Sequence, residues 1–170
     1  MNKVKVYTDG ACSNNPGPGG WGAVFTDKEE PMILSGFSTK TTNNRMELLA
    51  VVKTLQHILH NVDYYKDTGY KHFEIYSDSA YVVNAINNSW VHSWYMKDWK
   101  TAKGTEVKNT DLWQRYLKFS GLLMKKGIKI TLYKVKGHAG NTYNEYVDGI
   151  AKEEVNKARK YIATKKGGDI

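Results

Sequence analysis

The sequence predicts a single α/β domain on a mixed five-stranded sheet, with three antiparallel strands first and helices flanking both faces. Three observations lead there. Residues 4–38 hold three apolar runs joined by short, turn-rich links, the pattern of an antiparallel meander. Two later strand-like runs, 73–77 and 128–135, are set apart by stretches whose apolar residues recur at helical spacing. A chain of 170 residues is also long enough to bury one core without disulfide or metal staples.

In the first strand Val4, Val6 and Thr8 alternate with Lys5, Tyr7 and Asp9, so a carboxylate is delivered at the strand end. Gly10 opens residues 11–20, a run of Gly, Asn and Pro that reads as turn rather than strand or helix. Residues 21–26 and 32–38 are the second and third strands, with 27–31 as the hairpin link. Thr41, Thr42, Asn43 and Asn44 offer N-cap chemistry to a helix whose apolar stripe is Leu48, Val51, Val52, Leu55 and Leu59. Glu47 falls in the first turn of that helix, off the stripe, where an acid also favours the helix dipole.

Residues 61–72 show no clear periodicity and read as a polar, aromatic connection. The strand over 73–77 again ends at an acid, Asp78, and a short helix follows over 80–87. Between 90 and 108, Trp90, Trp94, Tyr95 and Trp99 interleave with Lys97, Lys100, Lys103 and Lys108. Two readings stand there. The indoles are helix packing beside a solvated basic face, or Trp90, Trp94 and Lys97 belong to a surface that stacks on sugars or bases and holds phosphates. Leu112, Tyr116, Phe119 and Leu123 mark a helix over 111–126, capped by Asn109 and closed by Gly127. After the strand over 128–135, residues 136–141 form a loop around His138. The last helix turns Val147, Ile150, Ala151, Val155, Ala158 and Ile162 inward, with Asp148 near its start. The domain is expected over residues 1–163, with 164–170 a polar, frayed tail.

The chain carries 25 Lys+Arg against 17 Asp+Glu, a net charge of +8 that favours a polyanionic partner, nucleic acid first. Cys12 is the only cysteine, so an intramolecular disulfide is excluded and a reducing, cytoplasmic setting is expected. The hydrophilic start fits no signal peptide, no stretch has the apolar length of a membrane span, and a monomer is expected.

Asp9 and Asp78 both follow strands, and Glu47 and Asp148 lie near helix starts. If the two strands are neighbours, the four carboxylates can share one sheet edge. At ~4 Å two like charges cost about 1 kcal/mol in water and about 4 kcal/mol at an effective dielectric near 20. Hard divalent cations remove that cost, and an all-oxygen donor set suits Mg²⁺ or Mn²⁺. The lone Cys and scattered His offer no zinc spacing. Two such ions can activate a water and stabilise the leaving oxygen of a phosphodiester. A basic chain with this cluster points to a nuclease or another phosphoryl-transfer enzyme.

The motifs that carry this chemistry also carry a resemblance. They are Tyr7-Thr8-Asp9-Gly10-Ala11-Cys12, Asn15-Pro16-Gly17-Pro18-Gly19-Gly20-Trp21-Gly22 and Thr41-Thr42-Asn43-Asn44-Arg45-Met46-Glu47-Leu48. Ser77-Asp78-Ser79, Val107-Lys108-Asn109-Thr110-Asp111-Leu112-Trp113, Val135-Lys136-Gly137-His138-Ala139-Gly140 and Asn144-Glu145-Tyr146-Val147-Asp148 complete the set. In that order, over nearly the whole chain, they resemble the type 1 ribonuclease H family. The resemblance implies a ribonuclease H-like fold and metal-dependent hydrolysis of the RNA strand of RNA–DNA hybrids, leaving 3′-hydroxyl and 5′-phosphate ends. By position it implies that Asp9, Glu47, Asp78 and Asp148 hold two Mg²⁺ ions, with Mn²⁺ able to substitute, and that His138 assists proton movement or product release. It also implies that Asn15, Asn43 and Asn44 contact the hybrid in its minor groove, and that Lys40, Thr42 and Asn109 hold a DNA-strand phosphate. Lys40 stands where relatives often carry Arg, so charge is kept and the bidentate fork lost. Ala80 stands where they often carry Gln, and residues 94–99 are less densely basic than the basic protrusion of bacterial relatives. The rivals are a DNA-directed nuclease of the same fold and a catalytically inactive binder of hybrid or double-stranded RNA.

Overall fold

The computed structural model describes residues 2–136 and 142–168. Five strands form one sheet in the order β3-β2-β1-β4-β5, where β1 is Asn2–Cys12, β2 Gly17–Phe25, β3 Met32–Thr41, β4 Tyr70–Ser77 and β5 Lys129–Lys134. The first three are the antiparallel meander read from the sequence, and β4 and β5 add in parallel, giving the expected mixed sheet. The helices are α1 (Asn43–His60), α2 (Val62–Asp67), α3 (Ala80–Asn87), α4 (Trp90–Met96), α5 (Thr110–Lys125) and α6 (Thr142–Gly168). No helix among the described residues is long and apolar enough to cross a membrane.

The pleat sorts the first strand onto two cores. Val4 and Val6 join Ala23, Phe25, Phe73 and Ile75 beneath α1, in a cluster that also takes Leu48, Val52, Leu55 and Trp113. Tyr7 points the other way and packs with Val24 and Val147 beneath α6. The sheet is thus buried on both faces around β1, which is why this strand can hold charged groups at a defined place.

Four local expectations give way. Residues 17–20 are strand, not turn: Gly19 pairs with Cys12 and Ser38, and Gly20 with Ala11 and Phe37. These glycines serve close approach, because a Cβ on Gly20 would lie 2.6 Å from the Ala151 carbonyl oxygen of α6. The expected connection over 61–72 contains α2 and the start of β4, and Val62 and Tyr65 of α2 are buried. Tyr65 meets Phe73 edge to face at 4.9 Å, so this helix closes the core beneath the C-terminal end of α1. Helix α6 continues to Gly168 through most of the stretch read as tail; Thr164 donates to the Lys160 carbonyl, and lysines there suit the negative end of a helix dipole. Asn109 occupies the N-cap position of α5 in a left-handed conformation (φ 61°), yet its side chain makes no capping bond.

Candidate active site

The site begins with a missing side chain. Gly10 faces α1, and a Cβ there would lie 2.3 Å from the Glu47 amide nitrogen. Bare backbone lets the second turn of α1 rest against the end of β1, which sets Glu47 beside Asp9. Thr42 caps this helix by accepting from the Arg45 amide at 3.2 Å, so the start of α1 is fixed relative to the strand. Asp78 directly follows the parallel neighbour β4, where Tyr76 pairs with Tyr7, so it stands level with Asp9, which lies within β1 rather than at its end because β1 continues to Cys12. Ser79 then caps α3 through the Val82 amide at 3.2 Å, and its own amide donates to Ser77 Oγ at 3.1 Å.

One oxygen from each of Asp9, Glu47 and Asp78 lies within 4.8 Å of the others. Asp148, from the start of α6, lines the same cavity, as do Asn43 and Asn44. Lys152 sits one turn further along α6, with Nζ 2.8 Å from Asp148 Oδ2. Asp9 is 5% exposed and Glu47 4%, so Glu47 is not off the buried face as its helical position suggested. Burial, then the charges of Asp78 and Asp148, push the Asp9 carboxyl up to about 7, against one hydrogen bond from Glu47 that acts the other way. Burial and the adjacent Asp9 likewise hold Glu47 well above the ordinary carboxylate range. Glu47 Oε2 is buried with no hydrogen-bond partner. A trio of close carboxylates, two of them buried and one oxygen orphaned, is costly by itself and fits a hard divalent cation such as Mg²⁺. The donor set therefore fits the metal that the sequence implies.

The other expected contacts spread around this centre. Asn15 accepts from the Asn43 amide at 3.1 Å, tying the β1–β2 turn to the start of α1. Asn109 accepts from Arg45 Nη1 at 3.4 Å and donates to the Tyr81 hydroxyl at 3.1 Å. Lys40 is exposed near the end of β3. Of the aromatic segment, Trp94 packs against Trp113 with centroids 5.9 Å apart, whereas Trp90 is 44% exposed and Lys97 is exposed beyond α4. Trp94 thus follows the packing reading, and none of Lys40, Trp90, Trp94 or Lys97 lines the acid cavity. His138 lies outside the described residues.

Sequence reasoning gave no role to Arg45, Asp111 or Tyr81. Arg45 forms a two-pronged bond to Asp111, at 2.9 and 2.6 Å, that joins the first turns of α1 and α5. Tyr81 lines the acid cavity and accepts from Trp113 Nε1 at 3.0 Å as well as from Asn109. For Arg45 and Asp111 the only signal in the sequence was their presence within the quoted motifs, and Tyr81 lies outside them; partners 66 residues apart leave no periodicity to read.

Comparison with known proteins agrees with this geometry. The family model for RNase H matches residues 1–156. A ribonuclease H of Caldicellulosiruptor saccharolyticus is 43% identical over 159 residues, covering 94% of this chain and 100% of that protein. One from Acetivibrio thermocellus is 42% identical over 160 residues, covering 94% and 99%. Among solved structures, LC9-RNase H1, a type 1 RNase H with the type 2 active-site motif, superposes with a TM-score of 0.73 at 27% identity, covering 92% of this chain and 73% of that one. With its four acids lining one cavity, a family model matched over residues 1–156 and a relative 43% identical over 94% of its length, this chain belongs to the RNase H family.

Proposed function

We propose that this protein is an endoribonuclease that hydrolyses the RNA strand of RNA–DNA hybrids, leaving 3′-hydroxyl and 5′-phosphate ends. The observation that carries the proposal is the trio Asp9, Glu47 and Asp78, converging within 4.8 Å beside Asp148 in a chain of net charge +8. An inactive binder has no use for a largely buried, self-repelling cluster next to phosphates. Asp9, Glu47, Asp78 and Asp148 would hold two Mg²⁺ ions, which when bound supply water activation and stabilisation of the leaving oxygen. Burial of Asp9 and Glu47 keeps bulk water from competing for those carboxylates.

Selection of RNA over DNA needs groups that read the 2′-hydroxyl or the groove shape, because phosphates are common to both strands. Ala11 and Cys12 line the acid cavity together with Glu47, which suits contact of main-chain groups there with 2′-hydroxyls flanking the cut. Asn15, Asn43 and Asn44 then face the minor groove, and Lys40, Thr42 and Asn109 take a phosphate of the DNA strand near the starts of α1 and α5. His138, between β5 and α6 in the chain, assists proton movement or product release. Trp90, Trp94 and Lys97 extend the grip on the hybrid.

A strand-labelled cleavage assay on matched RNA–DNA, RNA–RNA and DNA–DNA duplexes, with Mg²⁺ and with chelator, tests this directly. Cuts confined to the RNA strand of the hybrid, and lost with chelator, are expected. Cleavage of DNA–DNA would replace the proposal with a DNA-directed nuclease, and binding without cleavage would make the protein a hybrid binder.

A further inference from the structure

We infer that Tyr81 is a positioning residue that anchors the Asn109 side-chain amide, and through it the hold on the DNA-strand phosphate; the inference rests on the hybrid-cleaving function proposed above. Asn109 begins α5 with φ 61° and spends none of its side chain on capping, because the Leu112 and Trp113 amides bond its backbone carbonyl at 3.0 Å instead. Its amide is held from two sides. Arg45 Nη1, which can only donate, approaches Oδ1 at 3.4 Å, and Asn109 Nδ2 donates to the Tyr81 oxygen at 3.1 Å. Arg45 is itself locked by Asp111 at 2.9 and 2.6 Å.

The Tyr81 oxygen is equally constrained. Trp113 Nε1, a donor with no acceptor capacity, reaches it at 3.0 Å, and Trp113 is fully buried. The ring of Tyr81 meets Trp113 edge to face at 5.8 Å, so the phenol cannot swing away. Because Arg45 can only donate, Asn109 presents Oδ1 to it and Nδ2 to the Tyr81 oxygen, and the shorter of the two bonds is the one to Tyr81. One N–H of Asn109 then remains outside the network, at the start of α5 where an anion is favoured. Without the hydroxyl only the longer 3.4 Å contact to Arg45 resists rotation of the amide.

The experiment is a steady-state double-mutant cycle of Tyr81→Phe and Asn109→Ala on an RNA–DNA hybrid, with unfolding midpoints for all four proteins. Tyr81→Phe keeps the ring and is expected to raise KM by roughly three- to tenfold while kcat stays within about twofold. Asn109→Ala is expected to raise KM at least as much, and the double variant no further. Tyr81→Phe also strips Trp113 of its acceptor and lowers the midpoint, but a stability loss alone neither divides KM from kcat nor depends on Asn109. A Tyr81→Phe effect that persists undiminished in the Asn109→Ala background overturns the inference, as does an unchanged KM. If Asn109→Ala itself leaves KM unchanged, the placement of Asn109 on a substrate phosphate fails, and the inference with it. Side-chain amide resonances of Asn109 in the metal-free protein, identified by their loss in Asn109→Ala, give a readout independent of turnover. They should shift and lose exchange protection in Tyr81→Phe, and unchanged resonances overturn the inference.

Discussion

Two charged clusters meet on the first two turns of α1, and they are opposites. On one side Arg45 takes both oxygens of Asp111, a closed pair of opposite charge that draws the Asp111 carboxyl below its ordinary range. On the other, two residues along, Glu47 faces Asp9 and Asp78, three like charges with one buried oxygen unpartnered. The first cluster is complete within the chain and joins two helices. The second is complete only with something bound. Near neighbours on one helix can therefore be assigned, from charge balance alone, to architecture and to chemistry.

The sharpest way to break that contrast is to neutralise Asp9. Asp9→Asn keeps the shape and removes the central charge, and turnover on a hybrid should fall by at least about a thousandfold, the equivalent of ~4 kcal/mol in the barrier. Far-UV circular dichroism should be unchanged. Wild-type cleavage rates at saturating Mg²⁺ would show that the acid trio is not the chemical centre.

The same cluster predicts how the metal-free protein responds to pH. Asp9 has its carboxyl pushed up to about 7 in the folded state from an ordinary value of 3.8, so between those values the native state binds a proton that the unfolded chain does not. Stability is then full below about pH 4 with respect to this group and falls as pH rises toward 7, by on the order of 4 kcal/mol. Glu47, raised for the same reasons, adds in the same direction. Urea denaturation in chelator should show this decline, and Asp9→Asn should flatten it and exceed the parent in stability at pH 8. Added Mg²⁺ should restore the parent at pH 8 far more than the variant. A parent stability that rises between pH 4 and 7 without metal would contradict the picture of a self-repelling site.

The acids were legible in the sequence because each rests on a local signal. Asp9 stands on an alternating strand that runs on to Cys12, Asp78 directly follows one, Glu47 follows a run of capping residues, and Asp148 lies near the start of an amphipathic helix. What escaped depends on partners distant along the chain. Residues 17–20 look like turn until their neighbours are in place: α6 crosses Gly20 closely enough at Ala151 that only glycine fits there. Asn109 looks like a cap until Arg45 and Tyr81 claim its amide. Helix α2 is too short for periodicity to show, and its two buried residues, Val62 and Tyr65, take their meaning from His57 and Phe73. Trp90 and Trp94 share one helix and one residue type, yet only Trp94 finds Trp113.

The smallest expected effect lies at the closed pair, and it sharpens the contrast from the other side. The Arg45 and Asp111 side chains are 35% and 58% exposed, so solvent screens much of their attraction despite the two-pronged geometry. A double-mutant cycle of Arg45→Ala and Asp111→Ala, followed by urea denaturation, should give a coupling of about 0.5–1 kcal/mol. Salt should weaken it, since exposed charges are shielded over about 10 Å at 0.1 M ionic strength. Mg²⁺ should leave the coupling unchanged, whereas it should transform the stability of the acid cluster. A coupling that grows when Mg²⁺ is added would mean that the two clusters act as one unit, and the division of α1 into an architectural side and a chemical side would fall.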